Sequence, residues 1–271
     1  MTEGDKVFAG SIPDIYDTYL VPLIFEDFAR DLAERTAALS PASVLETAAG
    51  TGVVTRILAP RLAPGTRYVV TDLSRPMLNH AAHRQGPDNR ITWQQADALK
   101  LPFKDASFDA VCCQFGVMFF PDKVAGYADA RRVLRPGGSF LFNVWDHIEA
   151  NEFADVVTDA AAAVFPDDPP RFLARTPHGY CDVGVIREEL GNAGFSRISI
   201  TTLQKTSRAL SPRHPAVAYC QGTPLRNEIE ARDAGLLDAV TDRATQAISD
   251  RFGKGPVSGK IQGHVVVAVR E

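Results

Sequence analysis

With 271 residues, 45% of them hydrophobic, the chain is long enough to bury a full core, in one α/β domain with insertions or in two small domains. A formal net charge of -4 and a pI near 5.9 exclude a nucleic-acid groove that works through a bulk positive field. The first residues show no charged-then-apolar leader pattern, and the longest apolar run, 110–120, is interrupted by Gln114 and Gly116 and is too short for a bilayer. The four cysteines lack metal-ligand spacing, so a cytoplasmic protein with neither membrane insertion nor a bound metal is expected.

Along the chain, Phe25, Phe28, Ala29 and Leu32 fall at helical spacing, and Tyr16 and Tyr19 precede them. The tyrosines either border a helix packed on a sheet or reach a ligand from a lid. After Ser40-Pro41 an α/β alternation begins. Ser43-Val44-Leu45 is a strand ending on Glu46, followed by the small-residue turn Thr47–Gly52 and a helix from Val53. Strands are predicted at 67–71, 91–95, 108–114 and 139–145. Helices follow near 53–62, from Ser74 to Arg84 and from Pro121 to Leu134, and Arg135–Gly138 reads as a turn. Such alternation means a parallel sheet with crossover helices. After Trp145 the rhythm breaks: helices at 149–165 and 182–192, a strand at 195–203, a mainly helical 212–252 and a last strand at 263–270.

The organisation expected is therefore an N-terminal helical lid segment, 1–40, and a ligand-binding core, 41–146. A cap insertion follows at 147–181, then a core helix and strand at 182–205, a second helical cap at 206–260, and a final core strand at 261–271. The caps serve either as a lid that chooses a substrate or as a homodimer contact.

Three acids, Glu46, Asp72 and Asp97, each end one of the first three strands and so converge where open α/β sheets bind ligands. Asp72, twenty positions after Gly52, suits a ribose diol. Asp97 suits an exocyclic adenine amine beside the Ala98 amide, and Glu46 suits a cation. Gly50 and Gly52 let the backbone approach the ligand. A pyrophosphate among these carboxylates would be repelled, and Thr55 stands where a dinucleotide fingerprint wants Gly or Ala, so a nicotinamide-dependent oxidoreductase is the weaker alternative.

These stretches resemble the class I S-adenosylmethionine-dependent methyltransferases, in particular the small-molecule branch with the ubiquinone/menaquinone-biosynthesis methyltransferases. The residues that carry the resemblance are Val44–Gly52, Asp72-Leu73-Ser74 with Met77, Gln95–Ala98, Leu101-Pro102-Phe103 with Ser107–Val111, and Arg132–Gly138. It implies a Rossmann-like, doubly wound, mostly parallel seven-stranded sheet with helical cap insertions. It also implies S-adenosylmethionine as cofactor, giving S-adenosylhomocysteine, with Glu46, Ala48, Gly50, Gly52, Asp72, Leu73, Met77, Asp97, Ala98, Gln114 and Phe115 around it. The family usually has glycine where Ala48 stands. The Asp/Asn-Pro-Pro-aromatic motif of amino-methyltransferases acting on nucleic acids is replaced by Gln114–Val117, which points to a small-molecule acceptor. Methyl transfer by in-line displacement needs alignment and exclusion of water, and a base only for a protonated acceptor. His147 is the candidate base, and Tyr16, Tyr19, Phe119, Phe120 and Trp145 are candidate acceptor-pocket walls. A module that binds the cofactor without transferring methyl is the other alternative.

Overall fold

Short polar side chains start helices where the sequence places them. In the computed structural model, which describes residues 12–271, the Ser74 hydroxyl accepts from Met77 N, Asp122 from Ala125 N, and Asp182 from Gly184 N and Val185 N. The first eleven residues of the expected lid segment lie outside the described residues. In chain order the elements are α1 (Ile12–Ile15), a π-helix (Tyr16–Phe25), α2 (Glu26–Ala38), β1 (Ser43–Glu46), α3 (Val53–Leu58), β2 (Arg67–Asp72), α4 (Arg75–Gln85), β3 (Ile91–Gln95), β4 (Phe108–Gln114), α5 (Lys123–Val133) and β5 (Leu134–Trp145). They continue with α6 (Glu152–Val164), α7 (Phe172–Arg175), α8 (Val183–Asn192), β6 (Arg197–Ala209), α9 (Arg213–Gln221), α10 (Leu225–Arg232), α11 (Leu237–Phe252) and β7 (Val257–Val269).

Among the described residues one seven-stranded sheet forms, in the order β3-β2-β1-β4-β5-β7-β6, and the pairs β1–β2, β1–β4, β2–β3 and β4–β5 are parallel. β7 runs against β5, since Gly137 N donates to Arg270 O while Asp146 N donates to Gln262 O. No helix of the described residues is long and apolar enough to cross a membrane.

Three boundaries depart from the sequence reading. Arg135–Gly138 is strand rather than turn: Gly137 takes φ +82° and the β4–β5 register shifts between Phe108 and Ala110, so the segment pairs with the end of β7 instead of folding back. β6 runs on to Ala209, and β7 begins at Val257, ahead of 263; the two are neighbours in the sheet and run in opposite directions, with Ser196 bonded to Glu271 and Thr202 to His264. The lid segment is a π-helix before Glu26 and an ordinary helix after it. Pro22, which lacks an N–H, sits in the wide-turned part.

The described residues fall into two compact units. One holds those up to Phe25, with Trp145–Tyr180 and Gln204–Gly263. The other holds Glu26–Val144, Cys181–Leu203 and His264–Glu271. The expected segment 1–40 is thus divided at Phe25, and α2 belongs with the core.

In the core unit α2 and α3 pack on one another, as do α5 and α8. Tyr127 of α5 stacks on Phe142 at 5.4 Å and lies 5.9 Å from Phe140, while Phe28 of α2 meets Phe115 edge-on at 5.3 Å. All these rings are buried, and burial of each contributes on the order of 2–3 kcal/mol. In the other unit α6, α9 and α11 pack together around Val240, Ala244 and Ile248. Glu228 of α10 accepts from Arg171 N, Phe172 N and Arg175 Nη2, tying the two expected cap insertions into one body. The π-helix joins them: its Tyr19 carbonyl is 2.9 Å from His214 Nε2, and its Leu23 carbonyl accepts from Ser207 Oγ.

Candidate functional site

The carboxyl ends of β1 and β4 carry an unusual density of left-handed backbone. Gly50 (φ +56°), Gly52 (φ +79°), Ala48 (φ +51°) and Phe115 (φ +49°) all lie there, and the last two are not glycines. Left-handed backbone costs a residue with a Cβ roughly 1–2 kcal/mol, and strain of this kind collects at functional sites. Gly52 is required twice over: besides its φ, a Cβ there would stand 2.9 Å from the Ala81 Cβ of α4. At Gly50 a Cβ would meet nothing within 4 Å, so only φ and access to the crevice explain the glycine.

Asp72 anchors this corner. Its Oδ2 accepts from Gly50 N at 2.8 Å and its Oδ1 from Ser74 N at 2.7 Å, so one carboxylate joins the glycine turn to the start of α4. Each oxygen keeps a further lone pair for a ligand hydroxyl. Burial raises the Asp72 pKa above the ordinary value, against the lowering effect of the Gly50, Ser74 and Leu73 amides. Leu73 beside it is 53% exposed, whereas Met77 is buried. Asp97 is exposed beyond β3 with Oδ1 accepting from Leu99 N, and Ala98 is half-buried.

Glu46 is turned elsewhere. Its carboxylate is 2% exposed, and Oε2 accepts from Thr55 Oγ1 at 2.7 Å and from the Tyr68 hydroxyl. Desolvation by burial pushes its pKa up to about 7, although the Tyr68 and Thr55 hydrogen bonds lower it. A carboxylate packed under α3 and partly protonated at neutral pH is a weak attractor for a ligand cation, the role its place at the end of β1 suggests.

The Ala48 methyl fits because residue 116 is glycine. A Cβ at Gly116 would lie 2.5 Å from Ala48 Cβ and 2.7 Å from Cys113 Sγ. Gly116→Ala is therefore expected to cost about 1–3 kcal/mol in denaturant unfolding by overpacking. Ala48→Gly alone should be near neutral, relief of strain offsetting a freer unfolded chain. The double variant should recover part of the loss, a coupling of about 0.5–2 kcal/mol; simple additivity would show that the methyl does not touch this loop.

Gln114 is half-buried at the end of β4, in register with Asn143 of β5, and Phe115 is buried. Phe119 lies in a short 3-10 turn after β4 in the core unit, followed by the buried Phe120. Tyr16, Tyr19 and Trp145 belong to the other unit. There Tyr16 stacks on Phe25 at 5.1 Å, Phe25 lies 5.8 Å from Trp145, and Tyr19 meets His214 edge-on. The structure thus joins Tyr16 and Trp145 through Phe25. His147 is 57% exposed and engaged with Glu149 at 3.0 Å.

Sequence reasoning missed His178. It is buried, with Nδ1 2.8 Å from the Asp146 carbonyl, and desolvation lowers its pKa to about 4, which keeps the ring neutral. Two buried polar side chains in the core unit were also missed. Thr51 Oγ1, in the glycine turn, and both amide atoms of Asn143 have no hydrogen-bond partner among the described residues. The unpaired Thr51 hydroxyl, the open space at Gly50 and the tethered Asp72 carboxylate suit a ligand with hydroxyls to donate and a polar group to meet the turn.

Residues 45–142 match a family model described as a methyltransferase domain. The chain is 38% identical to a demethylmenaquinone methyltransferase of Deinococcus radiodurans over 50% of this chain and 57% of that protein. It is 30% identical to a ubiquinone/menaquinone biosynthesis C-methyltransferase of a Bradyrhizobium species over 60% of this chain and 70% of the relative. It spans 43% of a Clavibacter sepedonicus demethylmenaquinone methyltransferase, so over two of these three relatives the match covers less than two thirds of their length. Two solved structures share the fold. The YcgJ protein of Bacillus subtilis has a TM-score of 0.57 at 18% identity, covering 90% of this chain and 99% of that one. The [4+2]-cyclase SpnF has a TM-score of 0.56 at 19% identity, covering 90% and 81%. The ordered glycine turn, the strand-end acids and the sheet order agree with these similarities, and the chain belongs to the class I S-adenosylmethionine-dependent methyltransferase family.

Proposed function

We propose that this protein binds S-adenosylmethionine in the crevice at Gly50, Gly52 and Asp72 and transfers its methyl group to a small-molecule acceptor. The observation that supports this most directly is the Asp72 carboxylate, held by Gly50 N and Ser74 N with lone pairs left for a ribose diol. When bound, the cofactor supplies a methyl group already activated on a sulfonium. The chain's own work is alignment and exclusion of water. Asp72 fixes the glycine turn and accepts hydroxyl donors, Leu73 offers apolar cover, and the glycines bring the backbone close. The names of the relatives make a quinol-type ring the first acceptor to try.

The fold alone does not decide the chemistry, since the [4+2]-cyclase SpnF shares it. Isothermal titration with S-adenosylhomocysteine, S-adenosylmethionine and NAD is the first test. Binding of the first two and not of NAD is expected; NAD binding more tightly would overturn the reading. Mass-spectrometric detection of a methylated naphthoquinol after incubation with S-adenosylmethionine would then separate an enzyme from a binding module.

A further inference from the structure

An open sheet leaves backbone donors and acceptors unpaired along its two outer strands unless something covers them. β6, 13 residues long, is one of those strands, the last in the order after β7. Its run 197–203 belongs to the core unit. There Ile198 and Ile200 are half-buried while Arg197, Ser199, Thr201 and Thr202 are exposed, so one face of the strand rests on the protein and the other meets solvent. Gly137 in the first part of β5 pairs with Arg270 after β7, and Ser196 reaches Glu271. Arg197 therefore stands at the amino edge of the sheet, away from the crevice at the carboxyl edge.

The charges at this edge are one-sided. The whole chain carries -4, yet β6 holds Arg197, Lys205 and Arg208 and no acid. Two further arginines of the core unit lie against its start. Arg187 of α8 donates from Nη1 to Ile198 O at 3.0 Å. Arg131 of α5 lies against Gly194 in the turn ahead of the strand, where an added Cβ would meet its Nε at 3.1 Å. That Nε is buried without a hydrogen-bond partner among the described residues. Arg131, Arg187 and Arg197 make no ion pair among the described residues. Of the acids close by, Glu271 is held by Ser196 Oγ at 2.5 Å and Glu189 of α8 faces Lys123, while Glu188 is exposed.

We propose that the outer edge of β6 docks an extended, acidic segment of a partner protein, which joins the sheet as a further strand. Main-chain hydrogen bonds along the edge supply the affinity, and the arginine forks select carboxylates. The small or β-branched Ser199 and Thr201 accept cross-strand neighbours from such a segment. A second copy of this chain is the poorer occupant, because its own β6 brings three more cations against these. A nucleic acid or an anionic membrane meets the field of a chain with net charge -4, whereas a short acidic segment meets the arginines at close range. Docking at the amino edge leaves the crevice open, so the partner holds the protein without blocking its site.

The test uses the full chain and, as probe, a fluorescein-labelled peptide of alternating glutamate and valine, about eight residues long. Fluorescence anisotropy should show saturable binding that weakens at least about fivefold between roughly 50 and roughly 300 mM salt, and no binding of the lysine–valine counterpart. Amide hydrogen exchange in 197–203 should slow at least about fivefold with the peptide bound. The double variant Arg187→Glu, Arg197→Glu should lose at least about tenfold in peptide affinity while keeping the parent's far-UV circular dichroism. Arg197→Ser serves if the double variant does not fold, with a loss of at least about threefold expected. No binding of the glutamate peptide, equal binding of the lysine peptide, or unchanged affinity in a folded variant overturns the proposal. So does peptide binding that leaves exchange in 197–203 unchanged, since the contact is then elsewhere. A dimer in analytical ultracentrifugation with 197–203 already protected gives the edge to a second copy and overturns the acidic partner.

Discussion

Asp72→Ala is expected to weaken S-adenosylhomocysteine binding by about 2–3 kcal/mol, thirtyfold or more in Kd, while the protein still folds. The usual worth of hydrogen bonds to a charged group is about 1.5–3 kcal/mol, and the substitution removes the acceptor for the ligand hydroxyls. It also frees Gly50 N and Ser74 N, so the glycine turn loses its tether to α4. Asp72→Asn should be nearly as damaging. Both oxygens accept from backbone N–H groups, and an amide must present its own NH2 to one of them. Calorimetry on both variants, with far-UV circular dichroism to confirm folding, decides the matter. Unchanged affinity would reduce Asp72 to a structural cap on α4.

The second large effect is a pH dependence of stability. The Glu46 pKa rises from an ordinary 4.5 to about 7 in the folded chain, and desolvation is the main cause. Between those values the folded state holds a proton that the unfolded state has released. Stability from this group is therefore full below about pH 4.5 and is lost as pH rises through 7, by about 3 kcal/mol over the whole window. Asp72, also raised by burial, acts in the same direction. Urea unfolding from pH 5 to 8 should show this decline, and Glu46→Gln, whose amide oxygen still accepts from Tyr68 or Thr55, should flatten it. Parallel pH profiles for parent and variant would show that Glu46 is ionised throughout.

Much of this site can be read from local chemistry. Ser74, Asp122 and Asp182 are short polar residues ahead of helical patterns, and each is an N-cap. β3 and β4 match their predicted spans, because β-branched and aromatic runs bounded by turn residues admit few other readings. What escaped depends on partners distant in the chain. In sequence Glu46 reads as a crevice acid beside Asp72 and Asp97, but Tyr68, 22 residues on, and Thr55 hold it inward. The available signal is the Tyr68 hydroxyl, which stands directly before the apolar Val69-Val70 inside β2. Pro136-Gly137-Gly138 spells a turn, and only the pairing with Arg270 of the chain's last segment makes it strand. Nothing near Asn143 in sequence tells that its amide would be left without partners.

The strand order has a consequence for the growing polypeptide. β7, 257–269, follows both β5 and β6 in the chain yet sits between them. While the ribosome is still adding residues before 257, β6 has no neighbour in the sheet, and β5 ends in an unpaired edge with Arg135–Gly138 free to bend. Vectorial synthesis can build β1 to β5 one after another, but the closing step must wait and insert a strand between two already made. Such late, distant pairings are the slow ones, and they leave sticky edges uncovered in the meantime. Arg270, whose guanidinium reaches the carbonyls of Arg131, Arg132 and Leu134, then acts as a latch for a sheet that stays open until β7 arrives.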